Sequence, residues 1–384
     1  MYDVVLFGAT GFTGGLTAAY LAANVPEGTR WALAGRDPAK LAAVRDRLAA
    51  ISPAAGEIDL VTADVDDDRS LRAVAESARV VATTVGPYVR HGDGLVGACA
   101  RAGTDYVDLS GEPEFVDRTY LRHHATAVDS GARLVHSCGF ESIPHDLGAH
   151  FTVRRLPEGV PISVEGFVSA SATLSGGTFH SAVTGFSRLR SSADAARSRR
   201  RVEGRPVGRV VRGGAGSPRY DHRVGAWVLP APTIDPQVVL RSAAALDRYG
   251  PEFAYHHHIA VRSLPVAVGL AGGVGALVAL AQVPPARKWL LGRKNPGEGP
   301  STEERARSWF RVRFFGQGGG QRVVTEVSGG DPGYGETAKM LAQSALCLAF
   351  DRLPETRGQV TTAVAMGDAL TARLVGAGIR FEVR

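Results

Sequence analysis

The chain has only three cysteines in 384 residues, Cys99, Cys138 and Cys347, and no two of them form a Cys-x-x-Cys pair. Neither a zinc cage nor a disulfide framework is expected, and a reducing cytoplasm is the expected compartment. The first residues lack a basic stretch followed by a cleavable apolar run, so no secretion signal is expected; Tyr2-Asp3-Val4-Val5-Leu6-Phe7 reads directly as a strand. Charge of one sign is scarce as well. A formal net charge of +6 is small for this length and argues against a nucleic-acid protein, while still suiting acidic partners or anionic lipid surfaces. No internal repeat of the solenoid kind is present.

What is there describes a globular chain. Hydrophobic residues make up 44% and charged residues 21%, enough apolar surface to offset chain entropy, and 384 residues exceed one ordinary core. Two domains are expected. From residue 1 to about 150, apolar runs alternate with helical patterns in a βαβα rhythm, the signature of a parallel sheet covered on both faces. Six strands are predicted, at Asp3–Phe7, Arg30–Ala34, Ile58–Thr62, Val80–Thr84, Tyr106–Leu109 and Leu134–Ser137. Asp37-Pro38 reads as an N-cap and first helical proline opening the run Ala39–Ala50. Residues 151–330 turn to β-rich stretches, Ile162–Ala172 and Val312–Val327, and read as an α+β substrate domain. Residues 331–384 read as two helices, Tyr334–Asp351 and Thr361–Ala377, packing back on the first domain.

Gly8-Ala9-Thr10-Gly11-Phe12-Thr13-Gly14 lies between the first strand and the helical run Phe12–Asn24, the context in which a glycine pattern signals a Rossmann dinucleotide loop. The expected fold class is therefore α/β, a doubly wound parallel sheet followed by the α+β domain. Glycine lets the chain turn sharply and approach a pyrophosphate, whose charge the free amides of the helix start can hold. The bland alternative is a tight turn that binds nothing. Where NAD-binding folds carry an acid for the ribose hydroxyls, this sequence has Ala34-Gly35-Arg36. A guanidinium there, with Lys40 nearby, selects the 2′-phosphate of NADP(H), while Asp37 is expected to turn its carboxylate toward its own helix. Asp64, after the third strand, falls near the adenine or in a surface turn.

Three further clusters fall at C-terminal strand ends, where open α/β sheets place their ligands: Thr83-Thr84-Val85-Gly86-Pro87-Tyr88, Tyr106-Val107-Asp108-Leu109-Ser110-Gly111-Glu112, and Cys138-Gly139-Phe140-Glu141-Ser142-Ile143-Pro144-His145-Asp146. No Tyr-x-x-x-Lys occurs, which disfavours the chemistry of short-chain dehydrogenases. Together with Gly8–Gly14, Ala34-Gly35-Arg36, Ser175-Gly176-Gly177-Thr178 and Asp331-Pro332-Gly333-Tyr334, these blocks resemble the saccharopine dehydrogenase-like oxidoreductases, especially the trans-acting enoyl reductases. Glu141 and His145 stand where that pattern leads one to expect aspartate and serine.

The resemblance implies an NADPH-dependent reductase acting on a double bond in a carrier-bound acyl or polyketide-like chain. The amino-acid relatives reduce an imine instead, and a non-catalytic, lipid-associated NADP-binding scaffold is the third reading. Thr84, Val85, Gly86, Gly139 and Phe140 are expected to line the cofactor. By location, Tyr88 and His145 are the candidate proton donors, with Asp108 or Glu112 as orienting groups; each also has an ordinary structural reading, as packed turn aromatic or helix cap. The assembly to test is a homodimer.

Between Ser263 and Ala286 no charge appears, the length of a transmembrane candidate. Gly269, Gly272, Gly273 and Gly275 weaken it as one helix, so a hairpin dipping into the inner face of the membrane is preferred over a buried segment or a true span. Arg197, Arg199, Arg200, Arg201, Arg205, Arg209 and Arg212 could meet lipid headgroups or an acidic carrier, or form a solvated loop. His256-His257-His258 is read as structural, because neighbours on a strand face opposite ways and no nearby acid or cysteine spacing completes a metal site. No metal is expected. Ser175-Gly176-Gly177-Thr178 reads as a helix start, able to hold an anion or simply capped.

Overall fold

Runs such as Val4-Val5-Leu6-Phe7 and Trp31-Ala32-Leu33-Ala34 are buried along their whole length, as strands covered on both faces must be. In the computed structural model, which describes all residues except 172–175, 215, 231–232, 294–298 and the side chains of 176–178, they form parallel strands. The first six are β1 (Tyr2–Phe7), β2 (Trp31–Gly35), β3 (Asp59–Thr62), β4 (Ala78–Thr83), β5 (Asp105–Asp108) and β6 (Arg133–Val135). Then come β7 (Ile162–Ser171), β8 (Val210–Gly214), β9 (Arg219–Asp221), β10 (Ala226–Pro230), β11 (Glu252–Val261), β12 (Trp309–Gly318), β13 (Gln321–Gly329), β14 (Gly358–Val360) and β15 (Arg380–Val383).

Among the described residues the first sheet runs β14-β6-β5-β4-β1-β2-β3 and is parallel throughout. Strand order reverses between β1 and β4, so a crevice opens where the glycine loop and Thr84-Val85-Gly86 leave the sheet. The second sheet runs β15-β13-β12-β7-β11-β10-β9, with β8 on β11, and mixes parallel and antiparallel pairs. Long hairpin pairing of β12 with β13, from Phe310↔Gly329 to Gly318↔Gln321, gives it a backbone.

Three expectations need correction. The domain boundary at 150 falls inside the helix Ile143–Val153, which packs on β7, β12 and β13 and so seats the end of the first domain on the second sheet. The tail is not purely helical: β14 adds a strand to the first sheet and β15 one to the second, while the helix Gly335–Phe350 lies against Phe12–Asn24. The glycines at 269–275 do not interrupt their segment, which forms one helix, Leu264–Gln282, followed by a second at Pro284–Leu291.

Candidate active site

The glycine loop has the shape that the sequence asks for. Gly8 has φ +95°, and a Cβ there would lie 2.6 Å from Val85 Cγ2; a Cβ on Gly14 would lie 2.1 Å from the Gly8 carbonyl oxygen. Both positions exclude any side chain. Gly11 is the N-cap of Phe12–Asn24, with no side-chain cap and no acid in the first turn, so the amides around Thr10–Thr13 keep their affinity for an anion. Thr84 fixes the facing strand end by donating its hydroxyl to Gly8 O at 3.1 Å. Phe12 packs edge-on against Tyr334, ring centres 4.9 Å apart, and beneath Gly299, which ties the loop to the tail.

Arg36 stands exposed just after β2 and forms no ion pair among the described residues. Asp37 accepts the Lys40 amide at 3.1 Å as a helix N-cap, so its carboxylate is committed to its own helix, and it also draws the Lys40 ammonium to 3.7 Å. Asp64 accepts the amide of Asp66 at 3.1 Å and shapes its own turn. A cradle that a Cβ would fill, a bare helix start and a free guanidinium together fit a phosphorylated dinucleotide.

Beyond β4, β5 and β6 the polar groups are tightly bracketed. Tyr88 donates its hydroxyl to Thr83 O and accepts the Leu109 amide, both at 3.1 Å, and burial holds its phenol well above the usual range. Glu112 accepts the amides of Tyr88 and Val89 at 3.1 and 2.8 Å and the Ser181 hydroxyl at 3.0 Å. Burial raises its carboxyl pKa despite these bonds. Asp108 is fully buried and accepts the Ser110 and Ser137 amides, each at 2.9 Å, and the Tyr106 hydroxyl at 3.0 Å; His136 Nδ1 lies 2.7 Å from it. Phe140 N donates to Thr337 Oγ1 at 3.1 Å, so the tail also holds the β6 loop.

Glu141, not predicted as a site residue, sits in the midst of these groups. A Cβ on Gly139 would lie 2.3 Å from its Oε2, which is buried without a hydrogen-bond partner among the described residues, and burial pushes the carboxyl up to about 7. His145 lies buried at the seam of the two sheets with Asp235 and His257, its Nδ1 3.3 Å from Asp235 Oδ1; His257 Nε2 is 3.6 Å from Asp235 Oδ2. Burial lowers both imidazoles, His257 to about 3, and raises Asp235 to about 8. An acid distant in sequence, Asp235, thus approaches the histidine triplet that sequence spacing left without one. Alternation does hold, for His256 and His258 face Gly214 and Gly216 while His257 faces Tyr255 and His145.

The arginine run divides. Arg199 is buried with its guanidinium 4.0 Å over the Tyr120 ring and 3.3 Å from Asp117, which Arg241 also reaches at 2.5 Å; Arg209 binds the carbonyls of Ala243, Leu246 and Gly250. Arg197 pairs with Asp194 and Arg212 with Glu252, leaving Arg200, Arg201 and Arg205 without ion pairs among the described residues. Only Ala267 and Ala281 of Leu264–Gln282 are buried, so the segment is not a core helix, and it is the one described helix long and apolar enough to cross a bilayer. Ser175 lies outside the described residues, as do the side chains of Gly176, Gly177 and Thr178, whose backbone opens the helix Gly176–Phe186.

A Rossmann crevice fitted for NADP(H), joined to a mixed-sheet domain, defines a two-domain oxidoreductase. Residues 4–135 match the saccharopine dehydrogenase NADP binding domain. A Mycobacterium tuberculosis protein provisionally named a trans-acting enoyl reductase is 37% identical over 99% of this chain and 97% of its own, and a trans-acting enoyl reductase of Mycobacterium ulcerans is 35% identical over 98% and 96%. Saccharopine dehydrogenase (L-Glu forming) from Saccharomyces cerevisiae, at 12% identity, shares the fold over 99% of both chains with a TM-score of 0.55. The chain therefore belongs to the trans-acting enoyl reductase family of saccharopine dehydrogenase-like proteins. It is an NADP(H)-dependent oxidoreductase.

Proposed function

We propose that the chain reduces the carbon–carbon double bond of an unsaturated acyl or polyketide-like substrate presented on a carrier. The observation that carries this reading is likeness over the full chain to named enoyl reductases, combined with an intact cofactor cradle. When bound, the reduced nicotinamide supplies the hydride. The loop amides hold the pyrophosphate, Arg36 holds the 2′-phosphate, and Gly86, Gly139 and Phe140 border the crevice in which substrate and cofactor meet. Tyr88, Asp108 and Glu112, with their polar atoms committed to neighbouring strand ends, are positioning residues that keep the crevice rigid.

Glu141 is the proton source in this reading, because its Oε2 is buried, has no hydrogen-bond partner among the described residues and its side chain lies against Gly111 and Gly139, after β5 and β6. A carboxylic acid with a pKa raised to about 7 delivers a proton near neutrality, whereas neutral, buried His145 does not. With NADPH and enoyl thioesters, the expected product is the saturated thioester. Turnover falls as pH rises through about 7, where the acid form is lost. Glu141→Gln lowers kcat by about 100-fold and flattens that profile. Full turnover in the variant would refute the assignment, and reduction of imines but not enoyl thioesters would refute the function.

The apolar helix supports a peripheral contact with the inner face of the membrane. Val266 and Val268 are 56% and 63% exposed, and the following helix carries Trp289, 55% exposed, next in sequence to Arg287 and Lys288, so an exposed apolar helix is followed by an aromatic and two cations suited to a headgroup layer. The intact chain is expected to sediment with anionic liposomes and a chain lacking 263–286 to stay in solution. Absence of sedimentation by the intact chain would overturn this part of the reading.

A further inference from the structure

We propose that His145, Asp235 and His257 form a binding site for one divalent transition-metal ion of the zinc class. They arrive from three separate elements: the first turn of Ile143–Val153, the start of the helix Asp235–Ala245, and the middle of β11. All three are at least nine-tenths buried, at 2%, 4% and 4% exposure, and their nearest ligand atoms lie within 4.8 Å of one another.

The geometry is that of a coordination shell rather than of a hydrogen-bonded triad. His145 Nδ1 lies 3.3 Å from Asp235 Oδ1, yet among the described residues neither atom has a hydrogen-bond partner, and His145 Nε2 has none either. Their lone pairs therefore do not serve each other, a costly arrangement in a buried seam unless something else receives them. Ligand atoms around a tetrahedral zinc with bonds of about 2.0–2.1 Å stand about 3.3–3.4 Å apart. The near approaches are to the two different oxygens of Asp235, 3.3 Å from His145 Nδ1 to Oδ1 and 3.6 Å from His257 Nε2 to Oδ2, and one ligand atom from each side chain lies within 4.8 Å of the others, so an ion would draw the three side chains slightly together. Tyr255 Oη, 3.0 Å from His257 Nδ1, supplies the outer hydrogen bond that fixes the ring with Nε2 toward Asp235.

Two imidazoles and one carboxylate suit zinc better than magnesium or calcium, which prefer oxygen throughout. Three protein ligands leave one position open to water or another ligand. The Phe140 ring, 5.4 Å from that of His145, shields one side. An ion at this point would tie the helix Ile143–Val153, which follows β6, to β11, and so one sheet to the other, whatever substrate the enzyme reduces.

The test uses the full chain, stripped with a chelator and titrated with Co²⁺ and Zn²⁺. One equivalent is expected to bind, with the visible absorbance of four-coordinate Co²⁺ and a rise in Tm. His145→Gln, Asp235→Asn and His257→Gln should each weaken Zn²⁺ binding at least about tenfold. His256→Gln, on the opposite face with Nδ1 3.1 Å from Gly214 O, should leave it unchanged. No stoichiometric binding by the wild-type chain overturns the proposal, as does equal affinity in the ligand variants. If one variant fails to fold, the wild-type titration and the other two variants still decide.

Discussion

The crevice at the edge of the first sheet and the seam between the sheets are built by opposite means. The crevice is made of backbone: turns, free amides and glycines crowded to 2.1 Å and 2.6 Å by atoms of neighbouring segments. The seam is made of side chains gathered from distant parts of the chain, with a buried carboxyl group and two imidazoles displaced from their ordinary ionisation. Backbone sites tolerate change everywhere except at the positions where space runs out. Side-chain sites depend on every member, because each leaves a buried polar partner behind when it is removed.

That contrast can be broken or sharpened by substitution. The largest effect is expected away from the crevice, at Asp117, which is buried between the guanidinium groups of Arg199 and Arg241. Asp117→Ala leaves both guanidinium groups with Glu203 as their only remaining carboxylate among the described residues and should destabilise the fold by about 3 kcal/mol in chemical denaturation. Next comes Gly14→Ala, whose Cβ meets a carbonyl oxygen; a loss of about 1–3 kcal/mol is expected, together with nucleotide binding. Its neighbour Gly15 has nothing nearer than 3.8 Å, so Gly15→Ala should be neutral or stabilising by up to about 1 kcal/mol. Equal losses at both positions would show that crowding is not what the glycines serve.

The smallest effect concerns pH. Hydrogen bonds from Arg223 hold the Asp221 carboxyl down to about 2, below its unfolded value. Its stabilising contribution is therefore complete above about pH 4 and lost as pH falls through about 2. Asp221→Asn should lessen the acid dependence of Tm in that window, and an unchanged dependence would remove Asp221 from the account.

Legibility in the sequence followed the same division. Phe12–Asn24 was readable to the residue and the six parallel strands to within a residue or two, because uninterrupted apolar runs and punctuating Gly and Asp are local signals. Gly358-Gln359-Val360 was not readable, since three residues carry no period; only pairing with β6 makes them a strand. The glycines at 269–275 were overweighted: each costs a helix about 1 kcal/mol, but none breaks it, and alanine, leucine and valine around them carry the helix through. Asp37 as an N-cap was legible from Asp-Pro alone. The meeting of His257 with Asp235 and His145 had no local signal, because it depends on how two sheets face each other. Glu141 was visible as a departure from the family pattern, but only burial reveals its raised pKa.

The most direct test of the account is a titration of NADPH and NADH into the wild-type chain and Arg36→Ala, followed by nicotinamide fluorescence. The wild type should bind NADPH at least tenfold more tightly, about 1.4 kcal/mol, and the variant should lose that preference. Equal affinity for both nucleotides, or binding of neither, would contradict the cofactor site on which the reductase reading stands.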